Sequence, residues 1–337
     1  MNGLRCLSTV STENLENKKT RLTENGRALI MQKYNNTKII IGLDHGYGNI
    51  KTAHRIFRTG VECFEEEPIV SMNYIKYKDK YYVIGENHLI YQGIKTDSQD
   101  FYILTLAGLA EELKFRGLHE AKVVLAVGLP LAWAKSQAAD FKKYLMQEQE
   151  LFFSFRKESY RVHLCGVEVF PQGFAAACNT GVMKGFNMVA DIGNGTMNVM
   201  QIIDGRPLEK SLVTDKFGVS ICMKEIQKEL TKSAGESIPE VMIEPMLING
   251  LQGRVDATAK VVGRIAAGYA ENILKRLIDY GYKENLVHLY VIGGGGCLLR
   301  HYSDIASKGN VIFIEDICAN AKGYEYLATQ KQRRQAV

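Results

Sequence analysis

The residues with the most chemical promise are Asp44-His45-Gly46-Tyr47-Gly48-Asn49-Ile50-Lys51. A carboxylate is followed by glycines at alternate positions, then an amide and a lysine. Gly46 and Gly48 can take positive φ and leave backbone N–H groups uncovered by side chains. Such a turn can hold an anion in a nest of amides. Lys51 can offer a point charge to a phosphate, and Asp44 can hold a Mg²⁺ ion through its water shell. The apolar run Ile39-Ile40-Ile41 ahead of it reads as a buried strand entering the turn. Taken alone, the stretch is equally a plain strand–turn–strand hairpin.

The pattern occurs twice. Met188-Val189-Ala190-Asp191-Ile192-Gly193-Asn194-Gly195-Thr196 is again an apolar strand ending in Asp, then Gly-x-Gly and a polar residue. With the carboxylates aligned, Asp44, Gly46, Gly48 and Asn49 correspond to Asp191, Gly193, Gly195 and Thr196. Two such hairpins, each opening a half of the chain, point to an internal duplication. Lys51 has no counterpart in the second copy, where Asn198 stands. A third glycine feature, Gly293-Gly294-Gly295-Gly296, separates an apolar strand at 287–292 from the start of a helix. It can bring backbone close to a ligand beside a helix N-terminus, or serve as a flexible connection. Four consecutive glycines carry an entropy cost that a structural turn need not incur. Between the halves, Pro171-Gln172-Gly173 opens a helix, where Gln172 either orients a water or caps the helix.

The elements around these motifs follow from periodicity. Helices are predicted over 101–116, 134–146, 218–230, 239–248, 256–280 and from 319 to about 331. The helix at 256–280 has one apolar face, Val261, Val262, Ile265, Tyr269, Ile273, Leu277 and Ile278, and spans roughly 37 Å at about 1.5 Å per residue. Strands are predicted at 121–127, 208–213 and 311–314, with three short ones at 151–155, 160–164 and 167–170. Extended segments at 68–71, 74–77 and 81–84 read as a small inserted β-subdomain.

Composition narrows the class. The chain has 337 residues, 46% of them apolar, which permits two domains or one large one. Its net charge of +5 is spread along the chain and makes no case for direct nucleic-acid recognition. Seven scattered cysteines with no Cys-x-x-Cys pair fit a reducing cytoplasm better than a disulfide framework or zinc site. The histidines show no metal-ligand spacing. No apolar run approaches the ~20 residues of a membrane-spanning helix, so no membrane association is expected. Residues 1–36 are polar, lack the apolar core of a secretory signal and are expected to be disordered. Met31 lies just before the first strand and could be the natural start. The basic run Lys331-Gln332-Arg333-Arg334 reads as a solvated tail.

In order along the chain, Asp44-x-Gly46-x-Gly48-Asn49-x-Lys51, Asp191 to Thr196 and Val291-Ile292-Gly293-Gly294-Gly295 resemble the phosphate-one, phosphate-two and adenosine motifs of the actin-like ATPase superfamily. The resemblance covers nearly everything from Ile39 onward. Gly218-Val219-Ser220 before a helix, the compact size and Asn320-Ala321-Lys322-Gly323-Tyr324 are similar in particular to bacterial ParM-type plasmid-segregation actins.

This resemblance implies an α/β, duplicated actin-like (ribonuclease-H-like) two-domain fold, with a mixed five-stranded sheet in each domain and nucleotide in the interdomain cleft. Domain I would be 37–184, with an insertion at about 58–95; domain II would be 185–316; a helix at 317–337 would return to domain I. Asp44 and Asp191 would organise Mg²⁺, largely through water. The backbone of Gly46, Tyr47, Gly48 and Asn49 and that of Gly193, Asn194, Gly195 and Thr196 would clamp the phosphates of ATP, or GTP, from both sides. Lys51 would touch the phosphates. The run Gly293 to Gly296 and the helix carrying Gly218, Lys224 and Lys228 would wall the adenosine. Gln172 stands where ParM relatives usually carry Glu and eukaryotic actin carries Gln. An amide can orient an attacking water, which suffices for a loose phosphoryl-transfer transition state, although it is no useful general base.

The implied function is a cytoplasmic bacterial ATPase that polymerises with itself and moves plasmid or mobile-element DNA through a DNA-binding adaptor. The alternatives are a sugar- or acetate-type kinase of the same superfamily, a cell-shape actin, or a chaperone ATPase. A kinase needs an acceptor-activating Asp. None stands in a glycine-rich loop between Val124 and Phe170, and Asp140 falls within a predicted helix. Cell-shape actins usually carry a membrane-binding amphipathic end, which the first 36 residues do not offer. A chaperone would need a C-terminal peptide-binding domain, and none is expected here.

Overall fold

The computed structural model describes residues 38–335, apart from 87, 90–93, 180–183 and 236. The polar lead-in at 1–36, with Met31, lies outside the described residues.

The apolar strand β1 (Lys38–His45) is the axis of the first sheet. It pairs antiparallel with β2 (Asn49–Thr52) and parallel with β7 (Glu120–Leu129). Beyond these lie β3 (Ile56–Arg58), antiparallel to β2, and β9 (Glu158–Pro171), parallel to β7. β7 is buried along almost its whole length, as a parallel strand covered on both faces should be.

The second sheet repeats this plan. β10 (Phe186–Ile192) pairs antiparallel with β11 (Met197–Ile203) and parallel with β14 (His288–Ile292). β12 (Arg206–Pro207) and β13 (Val213–Asp215) both pair with β11, and β15 (Val311–Phe313) runs parallel to β14. The duplication extends to register. Asp44 lies opposite Lys51 on β2, and Asp191 lies opposite Asn198 on β11. Each sheet has its own apolar core, one built on Leu43, Leu104 and Leu125, the other on Ile192, Ile265 and Leu289.

Several sequence expectations change in the structure. Among the described residues the first sheet has nine strands and the second six, where five were expected in each. β8 (Glu150–Phe155) pairs antiparallel with β9 and leaves an edge that β5 (Tyr74–Tyr77) takes. β6 (Lys80–Ile84) and β4 (Val61–Phe64) then extend the sheet. The segments 160–164 and 167–170 are one strand, because a register shift at Val123/Val124 on β7 absorbs the irregularity between them. Residues 68–71 form no strand, and Ile69 and Val70 are exposed. Within 208–213, a single 3₁₀ turn (Glu209–Ser211) precedes β13.

Helix α1 (Asp100–Phe115) is buried around most of its circumference and packs on β1 and β2. Gly108 permits this, since a Cβ there would lie 2.3 Å from Leu43 Cδ1. α2 (Leu131–Leu145) follows β7, and α3 (Phe174–Asn179) follows β9. The second domain carries α4 (Val219–Ala234), α5 (Glu240–Asn249), α6 (Ala257–Asp279) and α7 (Gly296–Tyr302). Asp256 caps α6 by accepting a 2.9 Å bond from Ala259 N. Ile278, assigned by periodicity to the apolar face of α6, is exposed near its end.

The last helix, α8 (Ala319–Gln335), returns to the first domain and docks almost backbone to backbone. A Cβ on Gly42 of β1 would meet Ala321 O at 2.0 Å, and one on Gly128 of β7 would meet the Tyr324 hydroxyl at 1.9 Å. Gly323 faces α3, where a Cβ would sit 2.2 Å from Ala175 O. This close approach lowers Asn320 and Tyr324 into the floor between the domains, both buried. Backbone cannot yield to such a clash as a flexible side chain can. Gly323→Ala is therefore expected to destabilise the fold by about 1–3 kcal/mol despite the better helix propensity of alanine. A thermal melt checks this, and an unchanged midpoint would contradict the packing.

Candidate functional site

Both carboxylates end central strands and meet on the floor of a cleft between the sheets. Asp44 is 3% exposed and Asp191 is 5% exposed. The Lys51 ammonium lies 3.4 Å from Asp44 Oδ2. Gln172 Nε2 donates to Asp44 Oδ1 at 3.0 Å, and the Tyr324 hydroxyl lies 3.4 Å from the same oxygen. Asn320 donates to Asp191 Oδ2 at 2.8 Å and accepts from Gly173 N at 2.8 Å. Burial and the neighbouring Asp44 push the Asp191 carboxyl up to about 6, against the pull of Asn320 and Lys51. Burial lowers the Lys51 pKa, but Asp44 and Asp191 more than offset this, and the net shift is upward.

The glycine turn of the first hairpin is held from behind. The buried Lys95 donates to His45 O, Thr59 Oγ1 to Tyr47 O at 2.7 Å, and His88 Nδ1 to Gly48 O at 2.6 Å. In a trans peptide the next N–H points opposite to the carbonyl. The amides of Gly48 and Asn49 therefore point away from Thr59 and His88, and both residues line the cleft. Thr59 is fixed in turn by Leu89 N, at 3.0 Å. The His45 side chain turns into the core instead. Its Nε2 donates to Thr105 Oγ1 at 2.8 Å, because that hydroxyl already donates to Phe101 O. Burial and the charge of Lys95 hold His45 neutral.

The second hairpin is held by helix α4. Val219 N donates to Gly193 O at 3.0 Å, and Ser220 N donates to Asn194 O at 3.0 Å. Gly218 makes this approach possible, since a Cβ there would lie 2.2 Å from Asn194 O. The hairpins touch across the floor, where a Cβ on Gly48 would lie 3.1 Å from the Asn194 side chain. Asn198, in the position of Lys51, spends its side-chain oxygen on Leu131 N at 3.2 Å and Thr214 Oγ1 at 2.8 Å. It ties the domains together and offers no charge to the cleft.

The cleft measures about 300 Å³. Of the residues singled out from sequence, Asp44, Gly46, Tyr47, Gly48, Asn49, Lys51, Gln172, Asp191, Gly193, Asn194, Gly195, Thr196, Lys224, Gly293, Gly294 and Gly295 line it. Gly218 lies behind the wall. Gly296 is buried under β14, 3.2 Å from Val291 Cγ1 if given a Cβ, and Lys228 is exposed on α4 away from the cleft lining. The glycine run owes much to packing. A Cβ on Gly295 would strike Ile192 Cγ2 at 2.2 Å, and Gly293 has φ +84; only Gly294 opens on free space.

Sequence reading missed Thr59, His88, Lys95, Asn320 and Tyr324 as parts of the floor and turn, and Met223, Glu240, Glu244, Leu247 and Leu298 as wall residues. Buried polar side chains far apart in sequence leave no local spacing to detect. An Asn two residues after a Cys gave no warning that it would bond Asp191, 129 residues away. Two buried carboxylates a short distance apart, with oxygen donors only, suit a hard divalent cation held through water. Among the described residues, no cluster of three His, Cys, Asp or Glu side chains could hold a metal directly.

Two sheets whose central strands share one connectivity, with paired Asp-x-Gly-x-Gly hairpins facing across a cleft, define the actin-like fold. Residues 42–174 match the family model described as actin like proteins N terminal domain. An archaeal actin homolog solved with ADP superposes with a TM-score of 0.71 at 22% identity, over 87% of this chain and 99% of that one. A ParM filament subunit from Clostridium botulinum gives 0.70 at 19% identity, over 87% and 99%. ParM from Bacillus thuringiensis with ATP gives 0.65 at 14% identity, over 88% and 99%. No curated protein matches the sequence significantly.

Lys95 carries a testable consequence. Burial, with a smaller push from Lys51 against the pull of Asp44, brings its pKa down to about 8. A lysine depressed in the folded state stays charged at a cost below that pH, and the cost is relieved as pH rises from about 8 toward the unfolded value near 10.4. Lys95→Met removes this titration together with the bond to His45 O. Relative to wild type, the variant is expected to lose ground by about 2–3 kcal/mol between pH 7.5 and 10. Urea denaturation at the two pH values measures it, and a pH-independent difference would place Lys95 in a wetter site.

Proposed function

We propose that this protein is an ATP-hydrolysing, self-polymerising member of the actin-like superfamily. The observation that carries the reading is the pair of hairpins meeting at Gly48 and Asn194 over the buried Asp44 and Asp191. Such a pair presents backbone amides from both domains to one polyanion, so a nucleoside triphosphate bridges the domains. Lys51 meets the phosphate charge. Met223, Leu247 and Leu298 offer an apolar wall for the base, and Lys224 stands beside it. When bound, Mg²⁺ would be held through water by Asp44 and Asp191 and would neutralise phosphate charge.

Gln172 supplies the positioning for hydrolysis. Its Nε2 is spent on Asp44, which fixes the side chain and leaves Oε1 as the acceptor. That oxygen accepts a hydrogen bond from a water and aims the water's lone pair at the terminal phosphorus. The new P–O bond forms as the bond to the bridging oxygen breaks, and the proton leaves to phosphate or solvent. Positioning dominates such a step, so an amide suffices and turnover is slow until the domains close.

A nucleotide that bridges both domains favours the closed arrangement by its differential contacts. Closure aligns surfaces for head-to-tail assembly, and hydrolysis loosens them. The likeness to a ParM filament subunit supports self-association, and those to proteins solved with ADP and ATP support the nucleotide. We assign the filament to moving plasmid or mobile-element DNA in a bacterial cytoplasm, through a DNA-binding adaptor, since the chain's charge is too mild to grip DNA itself.

Light scattering and pelleting with ATP, ADP and a non-hydrolysable analogue test assembly. Polymer with the triphosphates is expected, and failure under every nucleotide sinks the filament reading. Asp191→Ala is expected to abolish phosphate release. Gln172→Ala is expected to lower turnover roughly 100-fold while sparing ATP binding and lengthening filament lifetime. Normal phosphate release from Gln172→Ala would remove it from the chemistry.

A further inference from the structure

An ion pair and an imidazole–carboxylate approach cross the cleft at its half-exposed rim, away from the buried floor. Arg58 Nη2 lies 2.5 Å from Glu244 Oε2, and His88 Nε2 lies 3.7 Å from Glu240 Oε2. Arg58 and His88 belong to the first domain. Glu240 and Glu244 stand one turn apart on α5 of the second, on the same helix face. The floor groups Asp44, Asp191 and Gln172 are all under a tenth exposed, whereas Arg58 and Glu244 side chains are 34% and 30% exposed. These pairs therefore span the cleft at its outer edge.

Both first-domain partners lie beside the glycine turn, and His88 is bonded to it. Arg58 is the register partner of Asn49, the last residue of that turn. His88 donates its Nδ1 proton to Gly48 O at 2.6 Å, and in the protonated ring Nε2 also carries a proton, which faces Glu240. One imidazole thus spans the turn and the opposite domain. Moving α5 away takes Glu244 from Arg58 and Glu240 from His88 together; His88 is bonded to Gly48 O, and Arg58, on β3, lies opposite Asn49.

We propose that Arg58 and His88, with Glu244 and Glu240, form a latch that ties closure of the cleft rim to the orientation of the Gly48–Asn49 peptide. The latch governs how fast a bound nucleotide escapes, and this part rests on the reading of the cleft as a nucleotide site. Arg58 and His88 act as positioning residues, through the turn and not on the phosphates. Because the pairs are half-exposed, each contributes modestly, and the effect is one of rate.

The test is stopped-flow release of a fluorescent N-methylanthraniloyl-ATP from the full chain and from Arg58→Glu, Glu244→Arg and the double reversal. Each single reversal places like charges across the rim and is expected to speed release roughly three- to tenfold. The double reversal restores the pair with its sign exchanged and is expected to return to within about twofold of wild type. Single variants that release at the wild-type rate overturn the latch, as does a double variant faster than either single. Small-angle X-ray scattering of the ligand-free variants separates the two readings. If wild type fails to retain the labelled ATP, the nucleotide reading falls and scattering decides the latch alone. A larger radius of gyration in both single variants, reversed in the double, supports it, and an unchanged radius in both overturns it.

Discussion

Two carboxylates buried beside each other set the terms for the rest of this molecule. Asp44 and Asp191 each end a central strand and face the same dry floor. Burial penalises their charge and their mutual repulsion adds to it, which is why Asp191 is pushed up and why so many donors crowd around the pair. Lys51, Gln172 and Tyr324 serve Asp44, and Asn320 serves Asp191. These donors come from β2, the turn after β9 and the last helix, and Asp191 comes from the second domain, so the floor exists only when both domains and the last helix are in place.

The duplication holds for the central strands of the two sheets and is unequal in chemistry. The residue opposite the carboxylate is Lys51 in one hairpin and Asn198 in the other. The lysine faces the cleft, while the asparagine turns to Leu131 N and Thr214 and joins the domains. The supports differ as well. The second turn rests on the N-terminus of α4, with two backbone bonds through Gly218. The first turn rests on side chains from 59–95: Thr59, His88 and Lys95. A helix end can be held only by refolding its first turn, whereas separate side chains from a long connection can shift one at a time. The first turn is therefore the more adjustable half of the clamp.

Glycine explains how α8 reaches the site. Gly42, Gly128 and Gly323 remove the side chains that would hold the helix off β1, β7 and α3. The helix then sits deep enough for Tyr324 to reach Asp44 and for Asn320 to reach Asp191. A connection between the last helix and the floor makes the position of α8 sensitive to what occupies the cleft.

The sequence by itself determined the local chemistry. Strand, carboxylate and Gly-x-Gly are contiguous, and their spacing sets a hairpin whose backbone can meet an anion, so Asp44 to Lys51 and Asp191 to Thr196 were legible. Their repetition made the duplicated fold legible too, because topology follows from repeating one local unit. Tertiary structure decided what surrounds them. Thr59, His88, Lys95, Asn320 and Tyr324 occupy the site through pairings dozens to hundreds of residues long, which no local period encodes. It decided that β8 offers an edge to β5, making nine strands in the first sheet where the family resemblance implied five. It also decided that Gly293 and Gly295 are there chiefly to pass Ile192, since close packing between distant backbones is fixed only when the sheets come together.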